Sequence, residues 1–99
     1  MKKKAAGREA ETYRHAPNVA WRRVEEEAVL LNVDTSAYYS LDPIAADIWE
    51  RLGKGETVSR IVRRIAQEFE TPEDRVAKDA EGLIQDLLKE ELLTATPDD

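Results

Sequence analysis

The sequence contains no cysteine and only one histidine among its 99 residues. Without cysteine there is no disulfide framework, no thiol nucleophile and no cysteine metal site. The single histidine, His15, gives too few ligands for a zinc cluster. Glycine is scarce as well, at four residues, and none of them forms a phosphate-binding loop pattern. Because no carboxylate pair is set against a nucleophile either, we expect a protein that is not an enzyme and holds no metal or cofactor.

Long apolar runs are also missing. None approaches the roughly 20 residues that a membrane-spanning helix needs. The first residues, "MKKKAAGREAETYRHAP", are basic but lack the apolar stretch of a secretory signal. We therefore expect a soluble, cytoplasmic chain without membrane contact. Its length predicts one domain, and a domain this small buries only about 60% of the surface of its unfolded chain, which suits a binding module better than a deep catalytic cavity.

Charge is unevenly distributed along the chain. The formal net charge is −6, yet residues 1–18 carry a net of +3, so the remainder carries −9. An acidic body repels phosphate backbones and attracts basic partners. A basic start of this kind is typical of a solvated tail. We predict a flexible arm over residues 1–17, a folded domain over residues 18–93 and a carboxyl-terminal tail over residues 94–99.

Three short strands are predicted in the first half of the folded domain. Apolar residues alternate in the first of them and occupy both faces of the second, as in a more buried strand. Asp34 and Ser36 can bond their own backbone and so favour a turn between the second and third strands. The predicted strands are residues 18–24, 28–33 and 37–41, which together form an antiparallel meander.

Three helices are predicted after the strands. Asp42, followed by proline, is a suitable N-cap, and Thr57 can cap a second helix. Thr71 and Pro72 predict the start of a third helix, with an acidic residue in the capping-box position, that ends near Glu90. The predicted fold is therefore α+β and winged helix-turn-helix-like, with a three-stranded antiparallel sheet followed by three helices.

The third predicted strand, "AYYSL", has an unusually unguarded edge. It contains no charge and no proline, the features that usually prevent another strand from pairing. A peptide could add to it as a fourth strand. Tyr38 and Tyr39 must face opposite sides of the sheet, although the pattern does not say which side each one takes. Alternatively, both tyrosines only pack, one on each face.

The third predicted helix has a broad apolar face. At 100° per residue its apolar arc spans roughly 140°, more than the roughly 100° that a core-facing stripe requires. Three carboxylates, those of Asp79, Asp86 and Glu90, line one flank of that arc. This helix could border a groove, or it could be an ordinary core helix with a solvated acidic face.

A family resemblance rests on the order and spacing of several short pieces. These are the "LLN" strand, the "YYSLD" strand leading into a helix that contains "IW", and "KDAEGLIQDLL". Together they resemble the PqqD-like superfamily, the recognition elements that bind leader peptides of ribosomally made, modified peptides. The chain is most similar to the stand-alone leader-binding proteins of lasso-peptide pathways. It departs from the family pattern at Ser36, Asp42 and Ala45, where a turn glycine, asparagine and glycine are usual.

The resemblance implies a function and a site. The protein would be a peptide-binding adaptor that takes up a leader antiparallel to the third strand and presents it to a processing enzyme. That enzyme would be a cysteine protease that removes the leader, with a cyclase as a further partner. The implied peptide-binding residues are Ala37, Tyr38, Tyr39, Ser40, Val76, Asp79, Ala80, Leu83 and Asp86.

The alternative function is DNA binding, because winged helix-turn-helix proteins often bind DNA. The second predicted helix does carry Arg60, Arg63 and Arg64. The third helix, which would read the groove, is instead mostly acidic, and phosphate contacts need the opposite balance of charge. We therefore expect no nucleic-acid partner.

Overall fold

The computed structural model describes residues 11–96 and has eight regular elements. In chain order these are β1 (Tyr13–His15), β2 (Val19–Val24), β3 (Glu27–Asn32), β4 (Ala37–Leu41), α1 (Pro43–Gly53), α2 (Val58–Glu68), α3 (Glu73–Lys89) and β5 (Leu93–Ala95). The three predicted strands and three predicted helices are all present. The α+β fold with a three-stranded antiparallel sheet is confirmed. Within this part of the chain, no helix is long and apolar enough to cross a membrane.

The main sheet has the strand order β2-β3-β4, so β4 lies at an edge. Trp21 pairs with Leu30, and Leu30 in turn pairs with Tyr39. These three side chains therefore share one face of the sheet, and Leu30 is fully buried on it. The helices cover this face. The opposite face carries the intervening residues, and no element of the described chain packs on it closely.

The three helix starts differ in how they are capped. The Asp42 carboxylate accepts a hydrogen bond from the backbone N–H of Ala45, and Thr57 caps α2 in the same way, as predicted. The predicted Thr71 cap is wrong. The Thr71 hydroxyl instead donates to the carbonyl of Phe69, and α3 starts after Pro72 without a side-chain cap. Two acidic residues in its first turn still suit the helix dipole.

The core lies between the sheet and the three helices. Trp49 of α1 is its largest fully buried side chain. Around it pack the apolar sides of β3, α2 and α3, as the helical spacing of those residues requires. Arg23 of β2 forms ion pairs with both Asp47 and Glu50 of α1, and these contacts join the sheet to that helix.

Two ends of the predicted domain are corrected by the structure. Tyr13–His15 forms a strand that pairs with β5, so the flexible arm predicted for residues 1–17 is wrong at these positions. The predicted tail at residues 94–99 is likewise wrong where Thr94 and Ala95 belong to β5. Tyr13 and Leu93 are buried, and this burial stabilises the short pairing. The rest of the predicted arm and tail, residues 1–10 and 97–99, lies outside the described residues.

His15 belongs to the predicted arm, but the structure places its ring against the core. Its ring stacks on Trp49, with centroids 3.5 Å apart and planes at 5°, and meets Trp21 edge-on at 5.6 Å. His15 Nε2 lies 2.8 Å from the Trp49 carbonyl oxygen and donates to it. Burial lowers the pKa of His15, an effect that the hydrogen bond to the Trp49 carbonyl partly offsets. His15 therefore fastens β1 to the core as a neutral ring.

Candidate functional site

The candidate site is the space between the free edge of β4 and one side of α3, which we call the groove. One hydrogen bond crosses it, from the Tyr39 hydroxyl to Oε1 of Glu90, at 2.9 Å. This contact shows that Tyr39 points from the sheet toward α3 and that the Glu90 side of α3 points back. The side-chain hydrogen bond to Glu90 raises the pKa of the Tyr39 hydroxyl, because removing the proton would set two negative charges together.

Helical spacing extends this side of α3 toward its amino-terminal end. At 100° per residue, Asp79, Leu83 and Asp86 fall within roughly 40° of Glu90. Asp79 and Asp86 are exposed, and Leu83 is half-buried against the core. The groove therefore has a leucine at its base and carboxylates along its rim.

Two of the predicted helix residues lie deeper than the groove. Val76 and Ala80 are only 2% and 1% exposed and pack in the core. They support the groove from below rather than line its surface. Their contact with a peptide stays a prediction, as does that of the other seven predicted residues.

The side chains of the two adjacent tyrosines of β4 lie on opposite faces of the sheet. Tyr39 is half-buried on the helix side, whereas Tyr38 is 71% exposed on the opposite face of the sheet. Ala37 shares the side of Tyr39, and Ser40 shares the side of Tyr38. Only the structure decides this direction. Of the predicted strand residues, Ala37 and Tyr39 face the groove, while Tyr38 and Ser40 face away from α3.

Asn32 closes one end of the groove and was not among the predicted site residues. It is buried, and its Oδ1 accepts hydrogen bonds from the backbone N–H groups of Asp34 and Thr35, at 2.9 and 3.2 Å. Its Nδ2 donates to the backbone carbonyl of Glu90 at 3.5 Å. Glu90 thus contacts the hairpin through both its side chain and its backbone. The sequence signal that could have identified Asn32 was a polar amide at the end of the "LLN" strand, at a position that faces the core.

The turn after Asn32 uses a left-handed residue. Ser36 has φ 66°, and its N–H donates to the Asn32 carbonyl at 2.7 Å. Glycine adopts this conformation at lower cost than serine. Ser36 therefore adopts the left-handed turn conformation that is usual for glycine.

The outer face of the sheet forms a second exposed surface. A shallow cavity of about 200 Å³ lies there, lined by Ala20, Arg22, Val29, Leu31 and Tyr38 of this face and by Trp21, whose ring lies on the opposite face against Trp49. Because strand residues alternate between faces, this surface is separated from the groove by the thickness of the sheet. The two surfaces meet at the edge of β4.

The described residues of the groove do not form a metal-binding cluster. Within residues 11–96, no three His, Asp or Glu side chains come together as metal ligands. The exposed side chains of α3 include Asp74, Asp79 and Glu81, a charge that opposes phosphate contacts. The alternative of DNA binding is not supported. The arrangement favours binding of an extended, partly basic peptide.

The fold is shared with solved structures of other proteins. A structure of TbiB1 in complex with the TbiA(beta) leader peptide is 28% identical, with a TM-score of 0.77, covering 86% of this chain and 99% of that chain. A structure of lasso peptide synthetase B1 complexed with the leader peptide is 24% identical, with a TM-score of 0.75, covering 86% and 98%, and shows the shared fold. A search of curated proteins gave no match.

The sequence also matches a family model over residues 27–93, from β3 through the first residue of β5. The match includes the β4 edge, all three helices and both walls of the groove. The family is described as Coenzyme PQQ synthesis protein D (PqqD). Since the match spans well over half of the sequence, this chain belongs to the PqqD family.

Proposed function

We propose that the protein is a non-catalytic adaptor that captures the leader of a ribosomally synthesised precursor peptide. The leader would add to the free edge of β4 as a fourth strand. The observation that carries this proposal is the unpaired β4 edge facing the Leu83 side of α3 across a groove. Membership of the PqqD family and the likeness to two leader-peptide complexes support it.

Backbone and side-chain contacts would divide the work of binding. The β4 edge offers free N–H and C=O groups to an added strand, and every second side chain of that strand would point into the groove. Leu83 and Tyr39 would contact apolar leader side chains there. Asp79 and Asp86 on the rim would attract leader lysines or arginines, chiefly raising the association rate and fixing the register.

The remaining side chains of an added leader would point the other way. They would extend the outer face of the sheet next to Tyr38 and Leu31. A processing enzyme that docks on this apolar face would contact the adaptor and the leader at once. We propose this face for the leader-removing cysteine protease, with a cyclase as a further partner, acting in the cytoplasm where ribosomal precursors are made.

Peptide titration tests the proposal directly. Labelled peptides covering the leader regions of candidate precursors are titrated with the purified protein, and binding is followed by fluorescence anisotropy. A dissociation constant near micromolar corresponds to about 8 kcal/mol, which several backbone hydrogen bonds and two or three buried side chains can supply. If no leader peptide binds below about millimolar concentration, the adaptor function is wrong.

A matched pair of leucine substitutions tests the groove itself. Leu83 and Leu88 are both half-buried against the core on α3, but they lie on opposite flanks of that helix. Leu83→Asp should raise the dissociation constant of the leader at least about tenfold, because it removes an apolar contact worth over about 1.4 kcal/mol. Leu88→Asp should cost comparable stability and leave binding intact. Equal effects of the two substitutions would contradict the groove assignment.

A further inference from the structure

The exposed face of α2 carries three arginines that serve no interaction within the described chain. Arg60, Arg63 and Arg64, together with Gln67, occupy positions i, i+3, i+4 and i+7, so they share one side of the helix. These four residues alone line a cavity of about 220 Å³. Like charges at these spacings disfavour the helix that bears them. We call this surface the arginine face; its composition is not explained by the stability of α2.

Two other arginines of the described chain form ion pairs. Arg23 contacts Asp47 and Glu50, and Arg51 contacts Glu56 and Glu68. Within residues 11–96, none of the arginines of the arginine face has an ion-pair partner. The chain has a net charge of −6, yet three unpaired guanidinium groups make the surface at this cavity positively charged.

An apolar cleft adjoins the arginine face. It has a volume of about 410 Å³, and Arg63 borders both cavities. Val58 and Val62 of α2 and Ala77 of α3 form its apolar wall, and Glu73 and Asp74 stand on its far side. A ligand that spans both cavities would therefore meet guanidinium groups along one edge and an apolar surface along the other.

This surface is separate from the leader groove. Around the α3 axis, Ala77 and Asp86 are half a turn apart at 100° per residue. A ligand in the cleft and a peptide on β4 would thus occupy opposite sides of α3. Both sites can be filled at once.

We propose that the arginine face and the adjoining cleft dock an acidic amphipathic helix of a partner protein. Arg60 to Gln67 spans about 10 Å of helix axis, which matches two turns of a facing helix with carboxylates at the same spacing. The apolar edge of such a helix would enter the cleft beside Val58, Val62 and Ala77. A nucleic acid backbone has no such edge, and Glu73 and Asp74 would repel it. This site goes beyond leader capture and gives the adaptor a second point of attachment.

The test uses the full chain and a designed peptide. An 18-residue helical peptide with glutamates at i, i+3, i+4 and i+7 and leucines on the adjacent edge is labelled with fluorescein. Its binding is measured by anisotropy at low and moderate salt. We expect binding that weakens as salt rises, and that weakens again when the leucines are replaced by serine. A scrambled peptide of identical composition should bind at least about fivefold more weakly.

Matched protein variants locate the binding. Arg60→Gln, Arg63→Gln and Arg64→Gln combined should weaken binding about tenfold, from three exposed charge pairs. A control that combines Arg14→Gln, Arg75→Gln and Lys78→Gln changes the net charge equally and should alter it less than about twofold. All six side chains are exposed, so circular dichroism of both variants should match that of the parent protein.

Several outcomes would overturn the proposal. One is undiminished peptide binding in the arginine variant; another is an equal loss in the control. Tighter binding of a 20-base-pair DNA duplex or of phosphatidylserine vesicles, lost in the arginine variant, would assign the face to a phosphate-bearing ligand instead. Leader binding should be unchanged in the arginine variant, so failure of this inference is distinguishable from failure of the adaptor function.

Discussion

The hydroxyl of Tyr39 and the carboxylate of Glu90 join the edge strand to the third helix across 2.9 Å. The same Glu90 receives a hydrogen bond at its backbone carbonyl from Asn32. Side chain and backbone of one residue therefore hold the carboxyl-terminal end of α3 against the hairpin. Glu90 is therefore the point at which α3 and the hairpin are joined.

Removal of the Tyr39 hydroxyl should be visible in a phenol titration. The hydrogen bond to Glu90 raises the Tyr39 pKa above that of an unfolded tyrosine, so it stabilises the fold below the unfolded value. That contribution is lost as the pH rises through the folded pKa. In an absorbance titration of phenolate formation, Tyr39→Phe should remove a component that titrates above the ordinary tyrosine range. If the lost component titrates at or below the ordinary value, the hydrogen bond is absent in solution.

Replacement of Ser36 by glycine should stabilise the protein. Ser36 occupies the left-handed region at φ 66°, which costs a residue with a Cβ about 1–2 kcal/mol. Glycine removes this cost, but its larger entropy in the unfolded chain offsets part of the stability gained. We therefore expect Ser36→Gly to raise the free energy of unfolding by about 0.5–1 kcal/mol. Urea unfolding followed by tryptophan fluorescence measures the change.

Asp34→Gly is the control for that substitution. Asp34 lies in the same turn but outside the left-handed region. Glycine there adds only entropy to the unfolded state, so stability should fall by about 0.5–1 kcal/mol. A gain at both positions would mean that turn flexibility, rather than the φ of Ser36, limits stability.

Alanine at two helical glycines should have opposite effects. A Cβ at Gly53 would collide with the ring of His15, which the stack on Trp49 and its hydrogen bond hold in place. We expect Gly53→Ala to lower the free energy of unfolding by about 1–3 kcal/mol, as overpacking does. Gly82 in α3 has open space around it, so Gly82→Ala should raise it by about 1 kcal/mol through helix propensity. Denaturant unfolding of both variants checks the contrast, which fails if the two shifts have the same sign.

Mild acid should weaken the protein through His15. Burial holds the folded pKa of His15 below its unfolded value of 6.5. Above that value both states are neutral and the full stability is present. As the pH falls through the unfolded pKa toward the folded one, the unfolded state binds a proton first, so the free energy of unfolding decreases.

Urea unfolding at pH 7.5, 6.5 and 5.5 measures this effect above the range in which ordinary carboxylates titrate. His15→Gln removes the titrating ring and should flatten the profile, although its stability at pH 7.5 should be lower because the stack on Trp49 is lost. An unchanged slope in this variant would assign the pH dependence to another group.

Local patterns were sufficient for most of the elements. The β4 strand and the start of α1 at Asp42 occur as predicted, since alternation and an Asp-Pro cap act within a few residues. The prediction of a flexible arm was wrong at Tyr13–His15, because a strand of three residues is too short to show an alternating pattern. Their strand exists only because β5, about 80 residues away in sequence, pairs with them. His15 was placed in the flexible arm for the same reason. Its ring is positioned by Trp49, which is distant in sequence, rather than by its neighbours in the chain.

The sequence alone determined that β4 has an unguarded edge, that its tyrosines oppose each other and that α3 has one acidic flank. These properties follow from side-chain type and from the fixed periods of strand and helix. The tertiary structure decided that Tyr39 lies on the helix side and Tyr38 on the outer face, and that Glu90, at the end of the acidic flank, contacts β4. Packing made that choice: the sheet buries the face that carries Leu30, Tyr39 is paired with Leu30, and α3 is rotated by the burial of Val76 and Ala80.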